Sequence, residues 1–259
     1  MTVGFSVDDH VARVTIDRAD RMNAVDEDTA DQLETIWQRV EADADIRAVV
    51  LTGSGDKAFC AGADMKAASI PKSGLEYWTT ARPGGFGGLA VRKSLHVPVI
   101  GRINGLAVGG GFELVLGCDI VVAAEHASFG LPEARVGRMP LDGGMIMLPR
   151  LIPQKIAMGM LLTGNRISAA EAEAYGLVNE VVPAAELDAA VERWLGQVLE
   201  CAPLSVKAIK ECVKETSDLP IAEAWTKRLP SLIAALESED GEEGPRAFRE
   251  KRKPDWKGR

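Results

Sequence analysis

The chain is poor in the groups that most often carry catalysis or hold metals. Only three histidines occur in 259 residues, His10, His96 and His126, and none sits in a pattern that would make a nucleophile pair or a metal set. The four cysteines, Cys60, Cys118, Cys201 and Cys212, lie far apart with no CxxC pair. That spacing excludes a zinc ribbon and a disulfide-stapled small fold, and leaves reduced, packed thiols. Basic charge is also in deficit. A formal charge of −8 argues against a general nucleic-acid binder, although a local basic patch closes the chain. No stretch approaches the ~20 apolar residues of a membrane span. The opening MTVGFSVDDHVARVTI lacks the basic segment and apolar run of a secretory signal. The expectation is a cytoplasmic protein with no membrane or nucleic-acid partner and no metal.

Nucleotide and acyl-serine signatures are missing as well. In Gly109-Gly110-Gly111-Phe112-Glu113-Leu114 a leucine stands where GxGxxG needs its last glycine, and the spacing Gly105 to Gly110 is followed by glycine where a P-loop needs lysine. Two SxxK matches, Ser54 to Lys57 and Ser69 to Lys72, open no apolar helix, and GxSxG is absent.

What is present is an ordinary folded composition, 46% apolar and 26% charged. Alternating runs at Val3–Val7 and Val11–Ile16 predict a hairpin. Asp26 predicts the cap of a helix whose Leu33, Ile36, Trp37 and Val40 fall on one stripe. Ala48–Thr52 is a continuous apolar run, as a strand covered on both faces requires. Met65 to Leu95, with Pro71, Pro83 and PGGFGGL at 83–89, has little periodicity and reads as a partly mobile loop. Strands follow at Val97–Ile103 and Ile120–Ala124. From Pro153 the pattern is mostly helical, with Ser168 as an N-cap and helices near 186–201, 204–216 and 221–236. No internal repeat of regular period is apparent.

Two clusters of small residues stand where strands run into turns: FCAGAD at 59–64 and GGGFE at 109–113. Small side chains at Ala61, Gly62, Ala63 and Gly109 to Gly111 let a ligand approach backbone N–H groups, and two such groups converging on one oxygen make an oxyanion hole. Each cluster alone reads equally as a tight turn. Two carboxylates add to the pattern. Glu113 lies one turn into an apolar helix, and Glu133 lies in FGLPEA beside Phe129 and Leu131; apolar surroundings raise a carboxyl pKa toward the range useful for proton transfer. Either one, taken alone, also reads as a solvated helix-start residue.

FCAGADMK at 59–66, INGLAVGGGFEL at 103–114, CDIVVAAEHASFGLPEARVG at 118–137, TGNRISAAEAEAYGLVNEVVP at 163–183 and AFREKR at 247–252, in that order, resemble the enoyl-CoA hydratase/isomerase (crotonase) superfamily from end to end. The resemblance implies an α/β fold, a spiral of ββα units over residues 1–195, with a C-terminal helical trimerisation region over 196–259. It implies Ala63 and Gly110 as the oxyanion hole for a thioester carbonyl, and Glu113 and Glu133 as the catalytic pair in reversible hydration of a 2-enoyl-CoA. Asn23, Ala24, Ala61, Asp64, Met65, Lys66 and Gly109 are implied along the substrate path, and Phe248 and Lys251 at the C-terminal edge of the coenzyme A site. Met22 departs from the basic residue many relatives carry there. Coenzyme A enters as part of an acyl-CoA thioester substrate, with no separate cofactor, and the assembly implied is a homotrimer or a dimer of trimers. PGGFGGL, MPLDGG at 139–144 and the C-terminal EEGPRAFREKRKPDWKGR look similar to the branch that acts on crotonobetainyl-CoA and carnitinyl-CoA. Two further readings remain open: Δ3-Δ2 enoyl-CoA isomerisation or other enolate chemistry, and a noncatalytic acyl-CoA- or RNA-binding member of the fold.

Overall fold

The computed structural model describes residues 1–67, 74–80 and 82–259. Among the described residues ten strands form two sheets. The larger holds β1 (Val3–Asp8), β2 (Val11–Ile16), β3 (Ala48–Gly53), β5 (Val99–Ile103), β7 (Ile120–Ala124) and β10 (Glu180–Val182), in that spatial order. β1 and β2 are the antiparallel hairpin, with Val3 opposite Ile16, and every later neighbour pairs in parallel. The smaller holds β4 (Ala58–Cys60), β6 (Leu106–Val108), β8 (Ser128–Gly130) and β9 (Arg166–Ser168), the first three parallel.

The helices are α1 (Glu27–Ala42), α2 (Gly74–Thr79), α3 (Gly110–Leu116), α4 (Gly144–Leu151), α5 (Gln154–Thr163), α6 (Ala169–Ala174), α7 (Leu187–Leu199), α8 (Pro203–Thr216), α9 (Ile221–Thr226), α10 (Pro230–Leu236) and α11 (Glu239–Glu250). None among the described residues is long and apolar enough to cross a membrane.

Local chemistry accounts for the main boundaries. Asp26 caps α1 by accepting the Thr29 N–H at 3.0 Å, and Leu33, Ile36, Trp37 and Val40 are the buried stripe under it. Ser168 and Glu171 form a reciprocal capping box at α6. The helix expected over 221–236 is two helices, because Pro230 has no N–H to continue the first and opens the second instead. The expected loop between Met65 and Leu95 contains α2 and a single turn at Phe86–Gly88; the Ser69–Lys72 match lies outside the described residues.

The ββα unit does recur. β3 passes to β4, β5 to β6 and then α3, β7 to β8, each time from the large sheet to the small one. The units begin at Ala48, Val99 and Ile120, so unequal insertions hide the repeat from any fixed period. The division expected after residue 195 runs through α7, whose Leu187, Ala190, Val191 and Leu195 pack on the large sheet with Val50, Ile100 and Val122. Residue 195 thus lies inside a helix packed on the core, and the next helix, α8, begins at Pro203.

Candidate active site

The small sheet assembles the site. β4, β6 and β8 run parallel, so their C-terminal ends lie side by side. β4 delivers Ala61 to Ala63, β6 delivers Gly109 and Gly110, and β8 delivers Glu133. Residues far apart in sequence thereby meet at one edge.

Ala63 is oriented by its neighbours. Val25 donates its N–H to Gly62 O at 2.8 Å and accepts the Asp64 N–H at 2.9 Å, while the Ala61 N–H goes to Met22 O at 3.0 Å. Successive peptide groups of extended chain point to opposite sides. With Gly62 O and Asp64 N–H both turned to Val25, the Ala63 N–H faces away from that segment. Neither it nor the Gly110 N–H has an acceptor among the described residues. The two segments are close: a β-carbon on Gly62 would lie 3.2 Å from Gly110 N.

The three glycines each serve a separate constraint. Gly109 takes φ 57°, ψ −133°, a conformation that side chains rarely adopt. A β-carbon on Gly110 would meet the Phe86 ring at 2.4 Å, and one on Gly111 would meet Cys60 O at 2.0 Å. Glycine is what lets α3 seat on β4, and all seven residues of α3 are buried.

Glu113 is 2% exposed. Its Oε1 accepts the N–H groups of Asp142 and Gly144, both at 2.9 Å, which fixes the carboxyl group. Burial pushes its pKa up to about 8, with the nearby charges of Asp142 and Glu133 acting in the same direction against the two hydrogen bonds. Glu133 begins a single helical turn after Pro132. Its Oε1 lies 3.2 Å from where a Gly109 β-carbon would be, and its Oε2 is buried with no hydrogen-bond partner. Burial raises this pKa too. Two unengaged N–H donors and two desolvated carboxyls, one without a partner, therefore share one site.

The other expected positions divide. Ala63, Asp64 and Met65 line a cavity of about 80 Å³ together with Val25, Tyr77 and Phe86. Asn23 is fully buried, and its amide donates to Ser54 O and Ala58 O at 2.9 and 2.7 Å while its carbonyl accepts from Arg18 N–H. Its side chain is a brace for the loops and offers nothing to a ligand. Ala24 is buried beside it. The Asp64 carboxylate is held by Arg18 at 2.9 Å and by the Lys66 N–H at 3.0 Å, while the Lys66 side chain is exposed. Phe248, 86% exposed, lies on α11, and Lys251 caps that helix. The chain beyond them docks through Trp256 on Arg47 and Glu200, and both residues are exposed on the surface of the chain. Sequence reasoning missed Asp142 and Tyr77, whose O–H is donated to Asp142 Oδ2. The signal available was the aspartate of MPLDGG, an acidic residue among apolar and small ones.

Parallel strand ends that join paired N–H donors to two buried carboxyls define an enzyme-like site built to polarise a carbonyl and move a proton beside it. The chain belongs to the enoyl-CoA hydratase/isomerase family, whose description matches residues 6–259. Among curated proteins it is similar to the carnitinyl-CoA dehydratases of Salmonella typhi and Salmonella typhimurium, each 42% identical over 256 residues, 96% of this chain and 95% of the relative. Among solved structures it is similar to enoyl-CoA hydratase from Bacillus anthracis, TM-score 0.91 at 33% identity over 100% of both chains. It is similar too to enoyl-CoA hydratase from Mycobacterium tuberculosis H37Rv, TM-score 0.89 at 30% identity over 100% of this chain and 99% of that one.

Proposed function

We propose that the protein is a hydro-lyase that reversibly adds water to a 2-enoyl-CoA thioester, with crotonobetainyl-CoA and carnitinyl-CoA as the substrate pair. The observation that carries the reading is the pair of buried carboxyls, Glu113 fixed by two N–H groups and Glu133 with an unpartnered oxygen. The similarity to carnitinyl-CoA dehydratases supports the acyl group.

In this reading the thioester oxygen lies between the N–H groups of Ala63 and Gly110, which stabilise the enolate as charge moves onto oxygen. Glu113 and Glu133 hold the water from two sides. Its oxygen bonds to the β carbon; one carboxyl takes the proton it releases, the other supplies a proton to the α carbon, and passage of a proton from the first carboxyl to the second restores both, so the product is the substrate plus one water. A carboxyl whose pKa lies near 8 keeps its proton at neutrality and can give it up.

The assembly in this reading is a homotrimer or dimer of trimers. Exposed Trp225 and Leu236 on α9 and α10, and Phe248 on α11, supply apolar surface for it. A cytoplasmic location accords with four free cysteines. The test is turnover of crotonyl-CoA and crotonobetainyl-CoA followed by mass. A product heavier by one water supports the reading; an isomer of unchanged mass, or binding without turnover, overturns it.

A further inference from the structure

The glycine-rich segment PGGFGGL at 83–89 takes no part in the proposed chemistry, yet its conformation is tightly specified. Gly84, Gly85, Gly87 and Gly88 have φ of 75°, 73°, 58° and 73°. Glycine reaches that region without strain but loses the most conformational freedom when fixed there, so the surroundings must hold the loop. Helix α1 is what holds it. Trp37 Nε1 donates to Gly87 O at 2.7 Å. Arg92, which is buried, donates to Gly88 O at 3.3 Å while Glu34 at 2.8 Å and Glu41 at 2.9 Å, both on α1, clamp its guanidinium. Space is equally tight: a β-carbon on Gly88 would meet Trp37 at 2.8 Å, and one on Gly87 would meet Leu114 of α3 at 2.7 Å.

What the loop carries is Phe86. Its buried ring lies against the α-carbon of Gly110: Cδ2, Cε2 and Cγ would be 2.4, 2.5 and 2.5 Å from a β-carbon there. Phe86 also lines the cavity that Ala63 lines, so one side chain borders both N–H donors. Its backbone N–H goes to the Asp142 carboxylate, and the Asp142 N–H goes to Glu113 Oε1 at 2.9 Å. Gly110 needs such a neighbour. The peptide that bears its N–H is fixed at one end, where Gly109 O accepts from Phe112 and Glu113 at 2.8 and 3.1 Å. The other end is an α-carbon with no side chain, between two further glycines, and the Phe86 ring supplies the packing that Gly110 cannot make itself. A preorganised donor stabilises developing charge only as far as its direction is held beforehand.

We propose that Phe86 is a positioning residue for the oxyanion hole, pressed on Gly110 by a glycine loop that Trp37 and Arg92 anchor to α1. The proposal rests on the hydratase reading for the identity of the oxygen held there, and its test uses a readout that needs no turnover. That readout is the infrared carbonyl stretch of butanoyl-CoA labelled with ¹³C at the carbonyl, free and bound to the full-length protein. The thioester is saturated and has no double bond to hydrate, and donors aimed at its oxygen lower the frequency.

The wild type is expected to lower the frequency on binding. In Phe86→Leu, which stays apolar but loses the ring, the lowering is expected to shrink and kcat for crotonyl-CoA to fall about 10–10²-fold, short of the ~10²–10³ for an absent donor. Affinity for butanoyl-CoA is largely kept. Trp37→Phe keeps a ring in the core and removes the donor to Gly87 O, and it is expected to move both readouts the same way by less. A merely structural role would lower the melting temperature and the active fraction but leave the bound frequency where the wild type has it. That result in Phe86→Leu overturns the proposal, and if Phe86→Leu does not fold, the same result in Trp37→Phe overturns it. Glu113→Gln is expected to lose hydration and keep the wild-type frequency. A wild type that hydrates crotonyl-CoA without lowering the frequency overturns the proposal and leaves the hydratase reading standing. If the wild type lowers the frequency but hydrates neither crotonyl-CoA nor crotonobetainyl-CoA, the hydratase reading fails, and the shift in Phe86→Leu still decides the proposal.

Discussion

Glu113 and Glu133 stand in one site but are held unequally: Oε1 of Glu113 accepts two N–H groups, whereas Oε2 of Glu133 is buried with none. A fixed carboxyl and an unsatisfied one make different contributions. Glu113→Gln keeps an acceptor for Asp142 and Gly144 and loses the titrating proton, so the fold persists while kcat falls by ~10²–10⁴, the usual worth of a positioned acid or base. Glu133→Gln is expected to lose kcat by a similar factor with acyl-CoA affinity largely kept. Steady-state hydration and calorimetric binding check both.

The raised pKa of Glu113 also makes stability depend on pH. The folded protein binds this proton up to about pH 8, whereas the unfolded chain releases it near the ordinary value of 4.5. Between those values the folded state holds the extra proton, so this contribution to stability declines as pH rises from 4.5 through 8. Each unit of such a shift corresponds to about 1.4 kcal/mol. Glu113→Gln, which stays neutral, is expected to flatten the slope and to gain on the wild type toward pH 8. Urea melts across that window read the difference.

The two helix-opening glycines differ in what a methyl group would strike. At Gly111 it meets the backbone oxygen of Cys60, which cannot move without displacing β4; at Gly110 it meets the Phe86 ring. Gly111→Ala is expected to destabilise by several kcal/mol, at the upper end of point mutations, and Gly110→Ala by about 1–3 kcal/mol. Adding Phe86→Ala removes the atoms that Gly110→Ala strikes and has no such effect on Gly111→Ala. Melting the two double variants against their parents tests this.

Asn23 braces the two loops that flank Ala63. Asn23→Ala leaves the carbonyls of Ser54 and Ala58 without this donor, though Asn104 also donates to Ala58 O at 3.1 Å. A loss of about 1–3 kcal/mol in stability is expected, the cost of leaving a buried polar group unsatisfied. A variant that loses turnover at full stability would assign Asn23 to the ligand instead.

Much of the large sheet was legible because its strands are long enough to show a pattern. Val11–Ile16 alternates, Ala48–Thr52 is continuously apolar, and the α1 stripe repeats at helical spacing. The small sheet was not legible. Ala58–Cys60, Leu106–Val108 and Ser128–Gly130 are three residues each, too short for any period, and their pairing is set by the tertiary fold. Yet it is this sheet that brings Ala63, Gly110 and Glu133 together. The site residues could be named from the resemblance and from small side chains at turns; their convergence could not. Asn23 shows the converse, since a position that resemblance placed along the substrate path is occupied by a side chain engaged by backbone groups and the Ser54 hydroxyl.

The most direct test of the two-carboxyl hydration site is isotopic. Purified wild type, Glu113→Gln and Glu133→Gln are each incubated with crotonyl-CoA and crotonobetainyl-CoA in ¹⁸O-labelled water, and the thioesters are read by mass. The account predicts a 3-hydroxyacyl product carrying one ¹⁸O in the wild type and its near-complete loss in both variants. Label incorporation at the wild-type rate in either variant, or a wild-type product with no added water, would contradict it.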